Sequence, residues 1–299
     1  MRKKLASLVI ALAPAVLSAQ TPFWTEDFGV VQNTSTCDQG NLASSYVGPN
    51  GAWTMTVTGT EAETPNTWFV SGQEHGNPVG ACGSSCGGTN RTLHVSNTND
   101  LLQQPDMGAY FYESMSMLCG FLPCGSTSKR VESPTINCTG KSNITLSFKY
   151  IEGGNTIDNA TLWYSSDNGA NWSQLADMAK TVICSGDRGI WTEFSIAMPA
   201  SADNNPNVKI GFQWVNNDDG DATDPSFAVD DIVLSTPDVA VTCCPGDFNC
   251  DGVVNALDMI IIVNQFGCST GCTADLDDDN IITAADIAIF NGLYGTICP

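Results

Sequence analysis

Positive charge is scarce in this chain. Its 299 residues hold 11 Lys+Arg against 32 Asp+Glu, a formal net charge of −21 at pH 7, and no Lys or Arg follows Lys209. Phosphate backbones and anionic lipid surfaces are gripped by clustered bases, so nucleic-acid binding and electrostatic membrane attachment are excluded. Histidine is almost missing. His75 and His94 are the whole complement, which leaves no His-rich metal site and little room for His-based catalysis. Past residue 19 no apolar run approaches the length of a bilayer span. G-x-S-x-G, H-E-x-x-H and a nucleophilic Cys-His context are absent. No Glu stands in the E-x-D-x-x-E spacing that a jelly-roll glycosidase uses to flank a scissile bond. Glu113 and Glu152 stay as candidates for a pair assembled by folding.

Cysteine, by contrast, is plentiful: thirteen residues, a number suited to an oxidising compartment. The N-terminus agrees. Arg2, Lys3 and Lys4 precede an apolar stretch over 5–17, and Ser18-Ala19 closes it with small residues. This is the pattern of a secretory signal peptide over 1–19, too short and wrongly flanked for a membrane span. Removing its three bases takes the net charge from −21 to −24. The expectation is a secreted chain, extracellular or held at a cell surface.

Residues 20–236 read as all-β. Positions 53–58, 144–150 and 208–214 alternate apolar and polar side chains, the period of a half-buried strand. Residues 160–164, 191–196 and 227–234 are further strands, separated by Gly, Asn, Asp, Ser and Pro. Many short antiparallel strands without helices predict a jelly-roll β-sandwich. All seven tryptophans fall in this part and are expected to supply much of its core. Residues 237–245 read as a linker.

Residues 246–299 repeat with a period of 28. Asp247, Asn249, Asp251, Asn255 and Asp258 occupy positions 1, 3, 5, 9 and 12 of a twelve-residue loop. Asp275, Asp277, Asp279, Thr283 and Asp286 occupy the same positions of a second. Val253 and Ile281 stand at position 7, which contributes a backbone carbonyl. Calcium is a hard cation that takes six to eight oxygens, and this is the donor set of an EF-hand-type loop. Position 6 must turn sharply; Gly252 suits it, and Asn280 tolerates the same geometry. Position 12 is Asp in both copies rather than the usual Glu. Two calcium ions are expected here. One helix follows each loop, over 257–266 and 285–294, and no entering helix precedes Asp247.

A duplicated loop–helix unit with Asp at position 12 resembles a type I dockerin module. The resemblance implies two bound calcium ions on the residues just named and docking onto a cohesin-like or other scaffold protein. The recognition positions differ from those of familiar dockerins. Loop positions 10 and 11 hold Ala256-Leu257 and Ala284-Ala285 in place of hydroxyl pairs, and the helices carry no base. These apolar residues suit a different partner or cover by a neighbouring domain. Cys243, Cys244, Cys250, Cys268, Cys272 and Cys298 are expected to brace the small domain as disulfides, in a pairing the sequence leaves open.

In the large domain, Ser165, Asp167, Gly169 and Trp172 fit S-x-D-x-G-x-x-W, the Asp-box pattern. It predicts a hairpin at Asn168-Gly169 braced by Asp167, with Trp172 packed beneath. An acidic stretch, Asp218, Asp219, Asp221 and Asp224, leads into Asp230-Asp231 inside an apolar strand. Consecutive strand residues face opposite sides, so one carboxylate faces the interior and needs a cation, N–H donors or its proton. This is a second-rank metal site, one further calcium at most, against the alternative of a solvated acidic loop followed by an Asp that ties the strand end by hydrogen bonds. The Asp-box hairpin and the closing F-x-V-D-D-I strand resemble secreted jelly-roll modules of the MAM-like, reelin-like and cleaved-adhesin kind. That group implies adhesion, sugar binding or an accessory role. Cys82/Cys86 and Cys119/Cys124 read as local disulfide staples. Cys82, Cys86, His75 and His94 form an alternative zinc set. One of the thirteen cysteines must stay unpaired within the chain.

The sequence therefore predicts an all-β jelly-roll sandwich followed by a small α-helical dockerin-like domain with two EF-hand-type calcium loops. The expected function is non-catalytic adhesion or carbohydrate binding, toward a glycan or a surface protein ligand. A polysaccharide hydrolase and a structural surface protein are the alternatives.

Overall fold

The computed structural model describes residues 20–30, 41–62, 65–84, 88–96, 106–111, 126–184, 186–217, 223–237 and 243–298. The signal segment, Cys37, Cys86, Cys119, Cys124, Glu113, Asp218, Asp219 and Asp221 lie outside these residues. The chain divides into a unit Gln20–Pro237 and a unit that holds Asp238–Pro299.

The first unit contains β1 (Gln20–Glu26), β2 (Asn41–Leu42), β3 (Val47–Gly48), β4 (Gly51–Ala52), β5 (Thr54–Val57), β6 (Thr67–Ser71), β7 (Thr92–Ser96) and β8 (Thr127–Glu132). It continues with β9 (Thr145–Glu152), β10 (Asn159–Ser165), β11 (Ser173–Asp177), β12 (Ile183–Cys184), β13 (Arg188–Gly189), β14 (Thr192–Ala197), β15 (Lys209–Asn216) and β16 (Phe227–Pro237). A seven-stranded sheet runs β14-β9-β16-β7-β6-β2, with β1 also on β16; a five-stranded sheet runs β11-β10-β15-β8-β5. The two form an antiparallel sandwich of jelly-roll type.

The alternation in the sequence is the alternation of burial. Leu146, Phe148 and Tyr150 of β9, Leu162 and Tyr164 of β10, and Ile210, Phe212 and Trp214 of β15 all point into one core. Trp24, Trp53, Trp68, Trp191 and Trp214 are buried, four of them completely. Trp163 and Trp172 are half-buried; Trp163 lies opposite Gly211 of β15, on the outer face of the five-stranded sheet.

Strand β16 runs one residue past the expected boundary, because Pro237 still pairs with Gln20. Its first half pairs with β7 at Ala228 and Val229, and its second half pairs with β1 from Ile232 onward. The register against β9 slips between Asp230 and Val233, and Asp231 takes φ 49°. The two adjacent Asp residues thus mark a β-bulge at which the strand changes neighbours.

The small unit has two helices, α1 (Ala256–Asn264) and α2 (Ala284–Leu293). Val254, Ile262, Ala274, Ile282 and Phe290 are its fully buried core. These include repeat-equivalent pairs: Val254 with Ile282, and Ile262 with Phe290. Each loop bonds to the segment after the other helix. Val254 N donates to Thr296 O at 2.9 Å, and Ile282 N donates to Cys268 O at 2.9 Å. Neither loop–helix unit can bury its apolar side alone, and this crossed pairing closes the core. Three disulfides, Cys243–Cys250, Cys244–Cys298 and Cys268–Cys272, use all six cysteines. The first two draw 243 and 244, read from sequence as linker, into the small unit.

Candidate functional site

In each loop the local sequence sets the geometry. Asn255 and Thr283 are N-caps of α1 and α2, their side chains accepting the N–H of Leu257 and Ala285. Asp258 and Asp286 stand three residues on and complete capping boxes, accepting the N-cap N–H at 2.9 and 2.7 Å. The same two carboxylates reach back across the loop. Asp258 accepts from Phe248 N and Asn249 N, and Asp286 from Leu276 N and Asp277 N. Asp at position 12 therefore latches the loop to the helix start, and both residues are completely buried. Positions 4 and 6 turn left-handed in both copies: Cys250 and Gly252 at φ 58° and 88°, Asp278 and Asn280 at φ 60° and 66°.

The loops gather carboxylates. Asp247, Asp251 and Asp258 each offer an oxygen within 4.8 Å of the others, and so do Asp275, Asp277 and Asp286. Asp275 Oδ1 is buried and has no hydrogen-bond partner. Asp277 is pushed above the ordinary carboxylate range by loss of water and by Asp279, Asp286 and Asp275. An orphaned buried oxygen inside a ring of like charges, with oxygen donors throughout, fits a hard divalent cation. Asn249 and Asn255 accompany Asp251 in the first loop, and Asp279, Thr283 and the Val253 and Ile281 carbonyls complete the predicted donor sets. Cys244 and Cys298 lie near Asp247, but their sulfurs are joined to each other and offer no thiolate.

Of the second-rank acidic site in the sandwich, Asp224, Asp230 and Asp231 lie among the described residues. Asp231 pairs with Lys149 Nζ. Asp230 is completely buried and accepts from Asn90 Nδ2 at 2.6 Å and Asp231 N at 2.8 Å. Burial, then the Asp231 charge, push its pKa up to about 8. N–H donors and its own proton satisfy it, two of the three solutions open to a buried carboxylate. Asp224 accepts from Phe111 N at 3.0 Å. Among the described residues no acidic cluster of metal-binding geometry forms here.

The cysteine reading needs correction. Cys82 pairs with Cys184, 102 residues away, and not with Cys86. This also removes the zinc alternative. His94 is completely buried on Asp106, Nε2 to Oδ1 2.9 Å, while Ser71 Oγ donates to Asp106 Oδ2 at 2.6 Å. Burial works to raise Asp106, but His94 and these donors outweigh it and hold the carboxyl below its ordinary range. No sequence signal announced this pair, because its members lie on a strand and on a segment of no regular structure. Among the described residues Cys138 is the unpaired cysteine; it is buried, and burial and Asp203 push its thiol up to about 11.

Glu152, a candidate for a hidden catalytic pair, is completely buried and receives Lys180 Nζ at 2.5 Å and Ala160 N at 2.8 Å. Burial pushes it up to about 7, with Lys180 opposing. It has no access to a substrate. The Asp box is the hairpin brace its spacing predicts. Asn168 and Gly169 both take positive φ, Asp167 accepts from Asn171 and Ser165, and Trp172 Nε1 donates to Gly169 O at 3.0 Å. The Trp172 ring lies 4.1 Å from the Arg130 guanidinium, and Arg130 bonds Glu132.

Residues 245–292 match the type I dockerin domain family, and residues 123–235 match the reelin subrepeat B family. No curated protein matches the chain. Among solved structures, the K1 cleaved adhesin domain of Lys-gingipain from Porphyromonas gingivalis aligns at 11% identity and TM-score 0.34, covering 71% of this chain and 97% of that one. The K3 domain of the same protein aligns at 17% identity and TM-score 0.39, covering 73% and 99%. The CBM22-1 xylan-binding domain from Paenibacillus barcinonensis aligns at 9% identity and TM-score 0.32, covering 75% and 100%.

Proposed function

We propose that the chain is a secreted, non-catalytic carbohydrate-binding or adhesion module, attached to an extracellular assembly by a calcium-loaded dockerin-like unit that docks on a cohesin-like or other scaffold protein. One observation carries this reading: two repeat-equivalent loops, each converging three carboxylates beside a helix start, in a segment that matches the type I dockerin family. Calcium would be held by Asp247, Asn249, Asp251, the Val253 carbonyl, Asn255 and Asp258, and by Asp275, Asp277, Asp279, the Ile281 carbonyl, Thr283 and Asp286. The bound ion neutralises the converged charge and ties each loop to its helix.

For the large unit, the outer face of the five-stranded sheet supports a glycan contact. Of the tryptophans able to stack on sugar rings, Trp24, Trp68 and Trp191 are buried, whereas Trp163 lies half-buried on that face beside Gln213 and the Arg130–Trp172 stack. Arg130 is neutralised by Glu132, which favours an uncharged glycan over a polyanion. The test incubates the full chain with insoluble polysaccharides in calcium and assays protein depletion and reducing-end release in the same tubes. Depletion without release, weakened by Trp163→Ala, is the expected result. Release makes the chain a hydrolase, and silence in both assays points to a protein ligand.

A further inference from the structure

The two loops are equivalent by sequence position but not in what holds them. The first is enclosed by covalent bonds. Cys243–Cys250 closes a ring that contains Asp247 and Asn249, and Cys244–Cys298 joins its entrance to the strand paired with its exit. Val253 and Ile297 form a β-bridge, and Cys298 N donates to Gly252 O at 2.8 Å. Its charge is also answered from within. Asn249 Nδ2 and Asn255 Nδ2 both donate to Asp251 Oδ2, and Asp251 N and Gly252 N donate to the two oxygens of Asp247. The second loop keeps one of these bonds, Asn280 N to Asp275 Oδ2 at 2.7 Å, but has no cystine ring around its ligand positions and no amide side chain answering its carboxylates. Cys268–Cys272 closes before Asp275 and encloses no ligand position. Asp277 and Thr283 replace the two amide side chains, so the converging carboxylates of Asp275, Asp277 and Asp286 meet without a side-chain amide donor, and Asp278 and Asp279 add charge alongside. Asp275 Oδ1 is left buried and unpartnered.

We propose that the loops keep their shape by different means: disulfides hold the first without metal, and calcium holds the second. The inference rests on the calcium reading of the loops and goes beyond it by assigning the metal-linked folding to one of them. A cross-link removes open conformations from the metal-free ensemble, so the first loop spends little of its binding energy on ordering. The second must overcome both chain entropy and carboxylate repulsion, and only the ion supplies the countercharge.

Amide hydrogen exchange on the full chain, in calcium and in EDTA, tests this. Fragment 247–255 should stay protected in both conditions, and fragment 275–283 should be protected in calcium alone. Opening the ring with Cys243→Ser/Cys250→Asn, where Asn suits φ 58° at position 250, should make fragment 247–255 calcium-dependent. Its exchange in EDTA should rise on the order of ten- to a hundredfold. Asp279→Ala should unprotect 275–283 in calcium and leave 247–255 unchanged, a comparison that keeps the cystines intact. Equal loss of protection in both fragments on adding EDTA to the unaltered chain overturns the proposal. So does persistent protection of 247–255 in EDTA once the ring is open. A chain that binds no calcium at all removes the calcium reading itself, a distinct result from two loops that bind and respond alike.

Discussion

Asp230 shows what a single carboxylate costs and contributes. In the fold it holds its proton up to about pH 8, against an ordinary value of 3.8. Between those values the folded chain binds more protons than the unfolded one, so its contribution to stability is full at low pH and is lost as pH rises through about 8. Glu74, pushed up to about 7 by burial, and Glu152, likewise about 7, act in the same direction over a lower window. Asp106 acts oppositely, stabilising above the ordinary carboxylate range and failing in strong acid. The melting temperature of the large unit should therefore fall as pH is raised from about 6 to about 9, and Asp230→Asn should flatten the upper part of that slope. An unchanged slope in the variant assigns the effect elsewhere. Cys138 gives a second expectation. A buried thiol pushed up to about 11 is almost wholly protonated at neutral pH, so iodoacetamide should leave it unmodified in the native chain and label it on unfolding; labelling at native rates contradicts the burial. The Asp230-Asp231 anomaly was legible as a buried carboxylate needing an answer. Which of the three answers applies was not, because a bulge is set by which strands flank β16, and strand neighbours are a property of the sheet.

At the scale of the element, period-two patterning located β5, β9 and β15, and β10, β14 and β16 were also expected, whereas β6 and β7, buried at every residue, carry no alternation of burial and escaped together with β1, β8 and β11. Short pairings such as β3 with β4 and β12 with β13 escaped, being two residues long. The loop–helix units were legible because ligand spacing and capping chemistry coincide: N-x-x-D and T-x-x-D are at once loop positions 9 to 12 and capping boxes. The consequence is measurable. Asp258→Ala removes an N-cap partner, two cross-loop acceptors and a ligand position. It should destabilise the small unit by about 2 kcal/mol or more and abolish calcium binding at the first loop. Asp278→Asn, exposed at a left-handed position and outside the ligand set, should change the small unit's stability by less than about 0.5 kcal/mol. Calorimetric titration of calcium into both variants separates the two, and a similar loss in each contradicts the assignment. The helices also break the repeat's symmetry. Leu257, Ile260, Val263 and Phe266 are more than half exposed on and just after α1, where the second copy has Ala285, Ala288, Asn291 and Tyr294.

For the molecule as a whole, the two units predict two melting transitions. Calcium should raise that of the small unit by mass action on its folded form, and a chelator should lower it; superimposable melts with and without calcium exclude the metal from the loops. The long disulfide lay beyond the reach of sequence. Cys82 had a neighbour four residues on, and its true partner, 102 residues away, is brought beside it only by the folded sandwich.

The pairing of Gln20 with Pro237 has a mechanical side. The large unit begins and ends at one point, on two antiparallel strands that run side by side away from it. A load applied between residues 20 and 237 opens β1 from β16 one hydrogen bond at a time, as a zipper, rather than shearing the whole row at once. A load that enters instead at the sheet face and leaves through Pro237 pulls on the strand at the centre of the seven-stranded sheet, where β9, β7 and β1 all share the strain.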